Sequence, residues 1–217
     1  MTPLIDATEM YLRTVWELEE EGIAPIRARL VERLGLSAPA VSETVARLED
    51  EGLLHVNDDR TLSLSDQGTQ IAVSVMRKHR LAELLLTDVI GLEWEQVHNE
   101  ACRWEHVISD AVEQRLMELL HHPTQCPHGN PIPGAGERGE AVRTMAAAAQ
   151  AGARARVCRI SEKLQGDVAA MRFLREHGIQ PGAELDLTVE AGQVMAGVRG
   201  ERVAVPADAA ELVYVAA

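Results

Sequence analysis

The stretch Leu34-Gly35-Leu36-Ser37-Ala38-Pro39-Ala40-Val41-Ser42-Glu43-Thr44-Val45-Ala46-Arg47-Leu48-Glu49 limits what this chain can fold into more than any other. Leu34-Gly35 makes a tight turn, because glycine enters the left-handed region without a Cβ clash. Ser37 is placed to cap a helix by accepting from backbone N–H groups of its first turn. Pro39 fits that turn, where its missing N–H costs little. Val41, Val45 and Leu48 then form one apolar stripe, leaving Ser42, Glu43 and Arg47 pointing outward. A short helix over 26–34, carrying Arg27, Arg29 and Arg33, precedes the turn. After it, Leu53-Leu54-His55-Val56-Asn57 and Thr61-Leu62-Ser63-Leu64 alternate as short strands about Asp58-Asp59-Arg60. The pattern is a helix-turn-helix with a β-hairpin wing, the second helix being the one that enters a major groove. A helical hairpin with no DNA role is the competing reading, and the hairpin that follows argues against it.

Charge qualifies this reading. The 217 residues carry a formal charge of −13, which on its own argues against a general polyanion binder. Through residue 66 the cations are Arg13, Arg27, Arg29, Arg33, Arg47 and Arg60 alone. Phosphate contacts must come from the few arginines near the turn and wing, with hydroxyl and backbone N–H groups. The candidate DNA-facing residues here are Arg27, Ala40, Ser42, Glu43, Thr44, Arg47 and Arg60. Affinity per monomer is expected to be modest, so that useful binding needs a dimer.

A second stretch carries metal chemistry. In His98-Asn99-Glu100-Ala101-Cys102-Arg103-Trp104-Glu105-His106, a continuous helix would put His98, Cys102, Glu105 and His106 within a ~100° sector. Imidazole, thiolate and carboxylate on one face are donors for first-row divalent ions. Val97, Trp104, Val107, Ile108 and Val112 would anchor the opposite face. His79 and Glu83 stand i, i+4 on an earlier helix; alone they read as a surface pair, beside the first cluster as ligands for a second ion.

The rest of the chain fills in around these. A helix is expected over 4–21, with Met10 on it. Asp66 caps a long helix to about Ile90, Gly91 breaks it, and the ligand helix runs from about Glu93 to Leu120. Val73, Met76, Leu84, Leu85, Val89, Ile90 and Leu92 exceed what a small core requires and suggest an intersubunit surface. Residues 121–140 are rich in Pro and Gly and read as an extended linker; His121, His122, Cys126 and His128 match no zinc spacing. Ala146–Ala149 lie in an Ala-rich stretch. From about 154, strands at Arg156–Ile160, Glu184–Val189, Gln193–Val198, Arg202–Val205 and 212–215, with a helix over Asp167–His177, indicate a small β-barrel. The chain is thus mainly α, with a winged helix-turn-helix over 1–73, a helical metal-binding and dimerisation domain over 74–140, and the barrel over 150–217. Aromatic residues make up only 3%, so Ala, Val and Leu do most of the packing. No apolar run approaches the ~20 residues of a membrane span. The acidic start, and three cysteines that cannot all pair, point to a cytoplasmic protein with reduced thiols.

Taken together, the segments Thr8-Glu9-Met10-Tyr11-Leu12-Arg13-Thr14, Met76-Arg77-Lys78-His79-Arg80-Leu81-Ala82-Glu83, Ala101-Cys102-Arg103-Trp104-Glu105-His106 and Gly129-Asn130-Pro131-Ile132-Pro133-Gly134 resemble the diphtheria toxin repressor family, of the iron-dependent regulator type. The likeness is strong to about residue 135 and weaker over the barrel, which is SH3-like in the family. It implies two metal sites per subunit. The regulatory one would use Met10, Cys102, Glu105 and His106, with the Cys102 carbonyl. The ancillary one would use His79, Glu83 and His98 with an acid and an amide from the barrel, which a gapless match places at Asp167 and Ala170. The family's anion contact maps to Arg80 and Asn130, with Cys126 where serine is usual. On the DNA side the resemblance implies that Ser37 and Pro39 approach bases, whereas Glu43 stands where the family has glutamine, which bears on operator preference.

What the resemblance implies is a metal-dependent repressor, not an enzyme, that binds a palindromic double-stranded operator as a homodimer, one dimer or two per operator. It would control iron uptake and storage genes. A thioether and a thiolate favour Fe(II) over manganese, whose preference is oxygen; Co(II), Ni(II), Zn(II) or Mn(II) would substitute in vitro. A manganese-responsive repressor of the same fold is the nearest alternative. A metallohydrolase and a metal-independent winged-helix protein are more distant ones.

Overall fold

Asp6 opens the first helix by accepting from the Glu9 N–H at 3.0 Å, and α1 runs Ala7–Glu20. The computed structural model describes residues 6–135 and 141–216; Leu4 and Ile5, expected at the start of this helix, lie outside them. Contacts divide the chain into one unit of residues 1–79 with 103–108 and another of residues 80–102 with 109–217.

In the first unit, α2 (Arg27–Leu34) ends at Gly35 in the left-handed conformation, φ 64°. The next helix, α3 (Ala38–Asp50), is capped by Ser37 and buries Val41, Val45 and Leu48, the stripe its sequence predicts. Strands β1 (Leu54–Val56) and β2 (Leu62–Leu64) pair antiparallel, Leu54 opposite Leu64, with Arg60 at φ 67° in the wing turn. Tyr11, Leu12, Val15 and Leu18 of α1 share one core with Leu30, the α3 stripe, Leu54 and Leu62. The reading helix and the helix bearing Met10 therefore pack in the same apolar cluster.

Asp66 begins α4 (Asp66–Leu84), which passes into a π-helical turn, Leu85–Ile90, ended by Gly91 at φ 79°. Widened turns of this kind are rare. The single ligand helix expected over 93–120 does not form. Instead α5 is Val97–Trp104 and α6 is Asp110–Leu119. Ser109 is the reason: its hydroxyl accepts from the Val112 N–H at 3.4 Å and caps α6. Glu105 and His106 lie in the turn after α5.

The expected linker is also different. Over the described residues 121–135 it is a compact loop that buries Cys126, His128, Asn130 and Ile132. The Cys126 N–H donates to the Asn130 carbonyl and the Gly129 N–H to the Cys126 carbonyl, both at 2.9 Å. Asn130 Nδ2 donates to the Ile160 carbonyl at 2.8 Å. Gly129 has φ +83°, and a Cβ there would lie 2.0 Å from the Cys158 carbonyl oxygen. Only glycine lets this loop lie against the strand Arg154–Ile160.

The C-terminal sheet follows from β3 (Arg143–Thr144), α7 (Met145–Gln150), β4 (Arg154–Ile160), α8 (Glu162–Gln165), α9 (Val168–Glu176), β5 (Glu184–Glu190), β6 (Gln193–Val198), β7 (Glu201–Val205), α10 (Ala207–Leu212) and β8 (Val213–Ala216). Its order is β3-β8-β4-β5-β6-β7, every pair antiparallel. The Ala-rich stretch is the helix α7, whose Ala148 and Ala149 are small enough to bury against the sheet. No described helix is long and apolar enough to cross a membrane.

Candidate metal centres and nucleic-acid face

In the first unit three donors converge. His106 Nε2 lies 3.2 Å from Met10 Sδ and 3.1 Å from Glu105 Oε1. On the other side of the ring, Nδ1 lies 2.5 Å from Glu9 Oε2. A carboxylate accepts, and each ring nitrogen faces one, so the arrangement favours the protonated ring; loss of the Nε2 proton would turn that lone pair toward thioether and carboxylate. Three electron-pair donors facing one another need a cation or a proton among them. Orientation of a ligating imidazole by an acid on its far nitrogen is the usual arrangement of metal sites.

Glu105 itself is buried. Its oxygens take Arg13 NH1 at 2.6 and 2.8 Å and His79 Nδ1 at 2.6 Å. Burial pushes its pKa up, but the Arg13 guanidinium first, then His106 and His79, hold it well below the usual carboxylate range. Burial draws the His106 pKa down, and Glu105 and Glu9 outweigh it, so the ring titrates above the ordinary histidine value.

In the second unit another group of donors meets. His98 Nδ1 is 3.3 Å from both Glu83 Oε1 and Glu162 Oε2, and His98 Nε2 is 3.5 Å from Cys102 Sγ. His128 Nδ1 is 3.2 Å from Glu83 Oε1. Ligand atoms of Glu83, Cys126 and His128 all lie within 4.8 Å of one another, and all three residues are buried. Gln165 is fully buried; its Nε2 donates to the Ile160 carbonyl at 2.7 Å, and its Oε1 has no hydrogen-bond partner among the described residues. A buried amide oxygen left without a partner is a donor that a bound cation could satisfy. Arg80 NH2 holds Glu162 Oε1 at 3.1 Å and its NH1 donates to the Pro131 carbonyl, which places the expected anion contact against the same carboxylate. Burial, then Glu83 and Glu162, push the Cys126 thiol well up.

Asp167 is elsewhere. It caps α9, with Oδ1 accepting from the Ala169 and Ala170 N–H groups at 3.0 and 3.1 Å. Glu162, five residues earlier, is the acid beside His98, and Gln165 stands about one helical turn after it. A gapless match cannot find them, because gaps displace the barrel. The spacing Glu162-x-x-Gln165, which puts both side chains on one helical face, was the available signal. Glu9 and Arg13 were missed, since no spacing marks them, and His128 was set aside because its spacing matches no zinc motif.

On the candidate DNA face, Ser37 accepts from the Ala40 N–H at 3.4 Å, and Ser42, Glu43 and Arg47 are exposed. Arg47 reaches Glu51 at 2.7 Å and Thr8 Oγ1 at 3.3 Å, and Arg60 is exposed at the wing tip. Arg33 pairs with Glu21. Arg29 likewise pairs with Glu32 at 2.9 Å, so near the turn and wing Arg27, Arg60 and the exposed, Glu51-paired Arg47 are the cations placed to face DNA.

Comparison with known proteins follows these features. Residues 3–62 match the family described as iron dependent repressor, N-terminal DNA binding domain; residues 65–134 match iron dependent repressor, metal binding and dimerisation domain; residues 146–217 match the FeoA domain. The chain is 48% identical to the diphtheria toxin repressor of Corynebacterium glutamicum over 223 aligned residues, covering 99% of this chain and 98% of the relative. It is 47% identical to the iron-dependent repressor IdeR of Mycobacterium tuberculosis over 227 residues, covering 99% of each. Alignments longer than the 217-residue chain contain gaps. Among solved structures, a manganese-dependent transcriptional repressor in complex with manganese superposes with TM-score 0.86 at 30% identity, covering 97% of this chain and all of that one.

Proposed function

Since this chain belongs to the iron-dependent repressor family and is a metal-dependent transcriptional repressor, we propose that Fe(II) is its physiological effector and that it binds a palindromic operator in the cytoplasm as a homodimer. The observation that carries the metal reading is the convergence of Met10 Sδ, Glu105 Oε1 and the His106 Nε2 lone pair. We assign these three and Cys102 to the regulatory site, as the sequence resemblance implies. The thioether and thiolate are the reason for Fe(II) over Mn(II). A bound ion would take the place of the proton between His106 Nε2 and Glu105 and would share Glu105 with Arg13. His79, Glu83 and His98 are assigned to the ancillary site with Glu162 and Gln165, in place of Asp167 and Ala170. Cys126 and His128 flank Glu83 there as further donors.

The residues suggest how metal state reaches DNA. Met10 is on α1, and α1 packs in the core that holds α3. Fixing Met10 against His106 fixes α1, and with it the frame that carries the reading helix. Coupling of this kind is typically about 1–3 kcal/mol. Arg27, Arg47 and Arg60 would contact phosphate, while Ser37, Pro39, Ala40, Ser42, Glu43 and Thr44 lie on or beside the face that approaches bases. Exposed Val89, Ile90, Val107, Val112 and Leu119 support a dimer surface; of the residues expected there, Met76 is instead fully buried. Twofold symmetry then demands a near-palindromic operator, which has room for one dimer or two.

Fluorescence anisotropy on a palindromic duplex tests the proposal. Binding that appears with Fe(II), is reversed by chelator and is lost in Met10→Ala supports it. Equal binding with and without metal contradicts it.

A further inference from the structure

Glu95 is charged yet only 2% exposed. It sits in the turn before α5, and two arginines one helical turn apart on the barrel's α9 hold it. Arg172 Nε donates to Oε1 at 3.3 Å, and Arg175 Nε lies 3.2 Å from Oε2. A carboxylate withdrawn from water is costly unless paired, so this contact fixes the turn to α9. The exposed Glu93–Arg175 pair at 2.9 Å is screened by solvent and adds little.

Trp94 carries the attachment onward. Its Nε1 donates to the Pro127 carbonyl at 3.1 Å, and its ring meets the His128 ring with centroids 5.0 Å apart. Its own carbonyl lies 3.2 Å from His128 Nε2. A carbonyl only accepts, so the neutral imidazole keeps its proton on Nε2 and presents its Nδ1 lone pair 3.2 Å from Glu83 Oε1. Two acceptors at that separation leave the position between them suited to a cation.

We propose that the Trp94–Glu95 turn is a positioning element: Arg172 and Arg175 of the barrel, acting through Glu95 and Trp94, hold His128 as its Nε2–H tautomer with Nδ1 aimed at Glu83, and thereby set the ion affinity of the ancillary centre. The inference rests on the reading of Glu83 and His128 as ion-facing donors. It gives the barrel a part in metal binding beyond Glu162 and Gln165. Arg172, Arg175, Glu95 and Trp94 touch no ion; they act through His128.

The test reads tautomer and affinity separately. Long-range 15N–1H NMR of the metal-free full-length chain reports the His128 tautomer. Competition with a chromophoric chelator reports Zn(II) affinity, in a His106→Ala background that removes the other centre. Arg172→Ala with Arg175→Ala is expected to replace the single Nε2–H signature by a tautomer mixture and to weaken Zn(II) about tenfold or more. Glu95→Gln is nearly isosteric, should act in the same direction, and serves if the arginine pair fails to fold. An unchanged His128 signature with unchanged affinity in both variants overturns the proposal. Undiminished Zn(II) binding in His128→Ala overturns the reading of His128 as an ion-facing donor, and the tautomer measurement distinguishes that failure from the first.

Discussion

Removing Arg13 isolates the charge balance of the regulatory centre. Arg13 is 4% exposed and its guanidinium pairs with Glu105 at 2.6 Å and with Glu17 at 2.5 Å. Taking one partner from a buried pair costs about 3–5 kcal/mol, because the carboxylate it leaves is still out of water. For a chain of this size each kcal/mol moves the midpoint by about 2–4 °C, so Arg13→Ala is expected to lower the metal-free Tm by roughly 6–20 °C. Metal changes the comparison. An ion at 100 times its Kd stabilises a protein by about 2.7 kcal/mol when affinities are equal. In Arg13→Ala the ion also replaces the missing positive charge beside Glu105 and escapes repulsion by Arg13. The variant's Tm should therefore rise more on metal addition than the wild type's. Scanning calorimetry of both proteins, with chelator and with Co(II), measures it. Equal or smaller recovery in the variant would refute the placement of the ion beside Glu105.

Three other outcomes follow from the same geometry. His106 has a raised folded pKa, so the stability it contributes is full below its unfolded value near 6.5 and is lost as pH rises through the folded value. Glu105 has a lowered one, so its contribution is present above about 4.3 and is lost as pH falls through its folded value. Metal needs His106 neutral, so metal affinity should weaken as pH falls through the raised His106 pKa, with proton release on binding that calorimetry in two buffers detects; no release would contradict the assignment. Glu162→Ala should reduce ion stoichiometry in equilibrium dialysis, whereas Asp167→Ala should keep it and cost only about 1 kcal/mol of helix capping in denaturant melts. Gly129→Ala should destabilise by more than about 1 kcal/mol, since a positive φ and a collision with the Cys158 carbonyl coincide; a neutral urea midpoint would show that the loop can shift.

The elements with a short-range physical signature were readable from sequence. Ser37 before Pro39, the Val41–Val45–Leu48 stripe and the alternating wing each fix local backbone, and they formed as expected. The ligand helix failed at Ser109, where a capping hydroxyl competed with a periodicity that continued through it. The loop at 121–135 looked like a linker because Pro and Gly density reports backbone character, not what the backbone rests on; the close approach of Gly129 to Cys158 is a tertiary fact. Residue types of the proposed metal centres were legible in His79, Glu83, His98 and the 102–106 cluster. Glu9, Arg13 and His128 were not, because what marks them is a partner far along the chain. Glu162 and Gln165 were hidden by gaps, not by chemistry.

The most direct test of the iron-sensor reading is operator binding by fluorescence anisotropy under anaerobic conditions, titrated in parallel with Fe(II) and Mn(II) and repeated with Cys102→Ala. The account predicts binding at lower free Fe(II) than Mn(II), with that preference lost when the thiolate is removed. Half-saturation at equal or lower Mn(II), unchanged by Cys102→Ala, would contradict it.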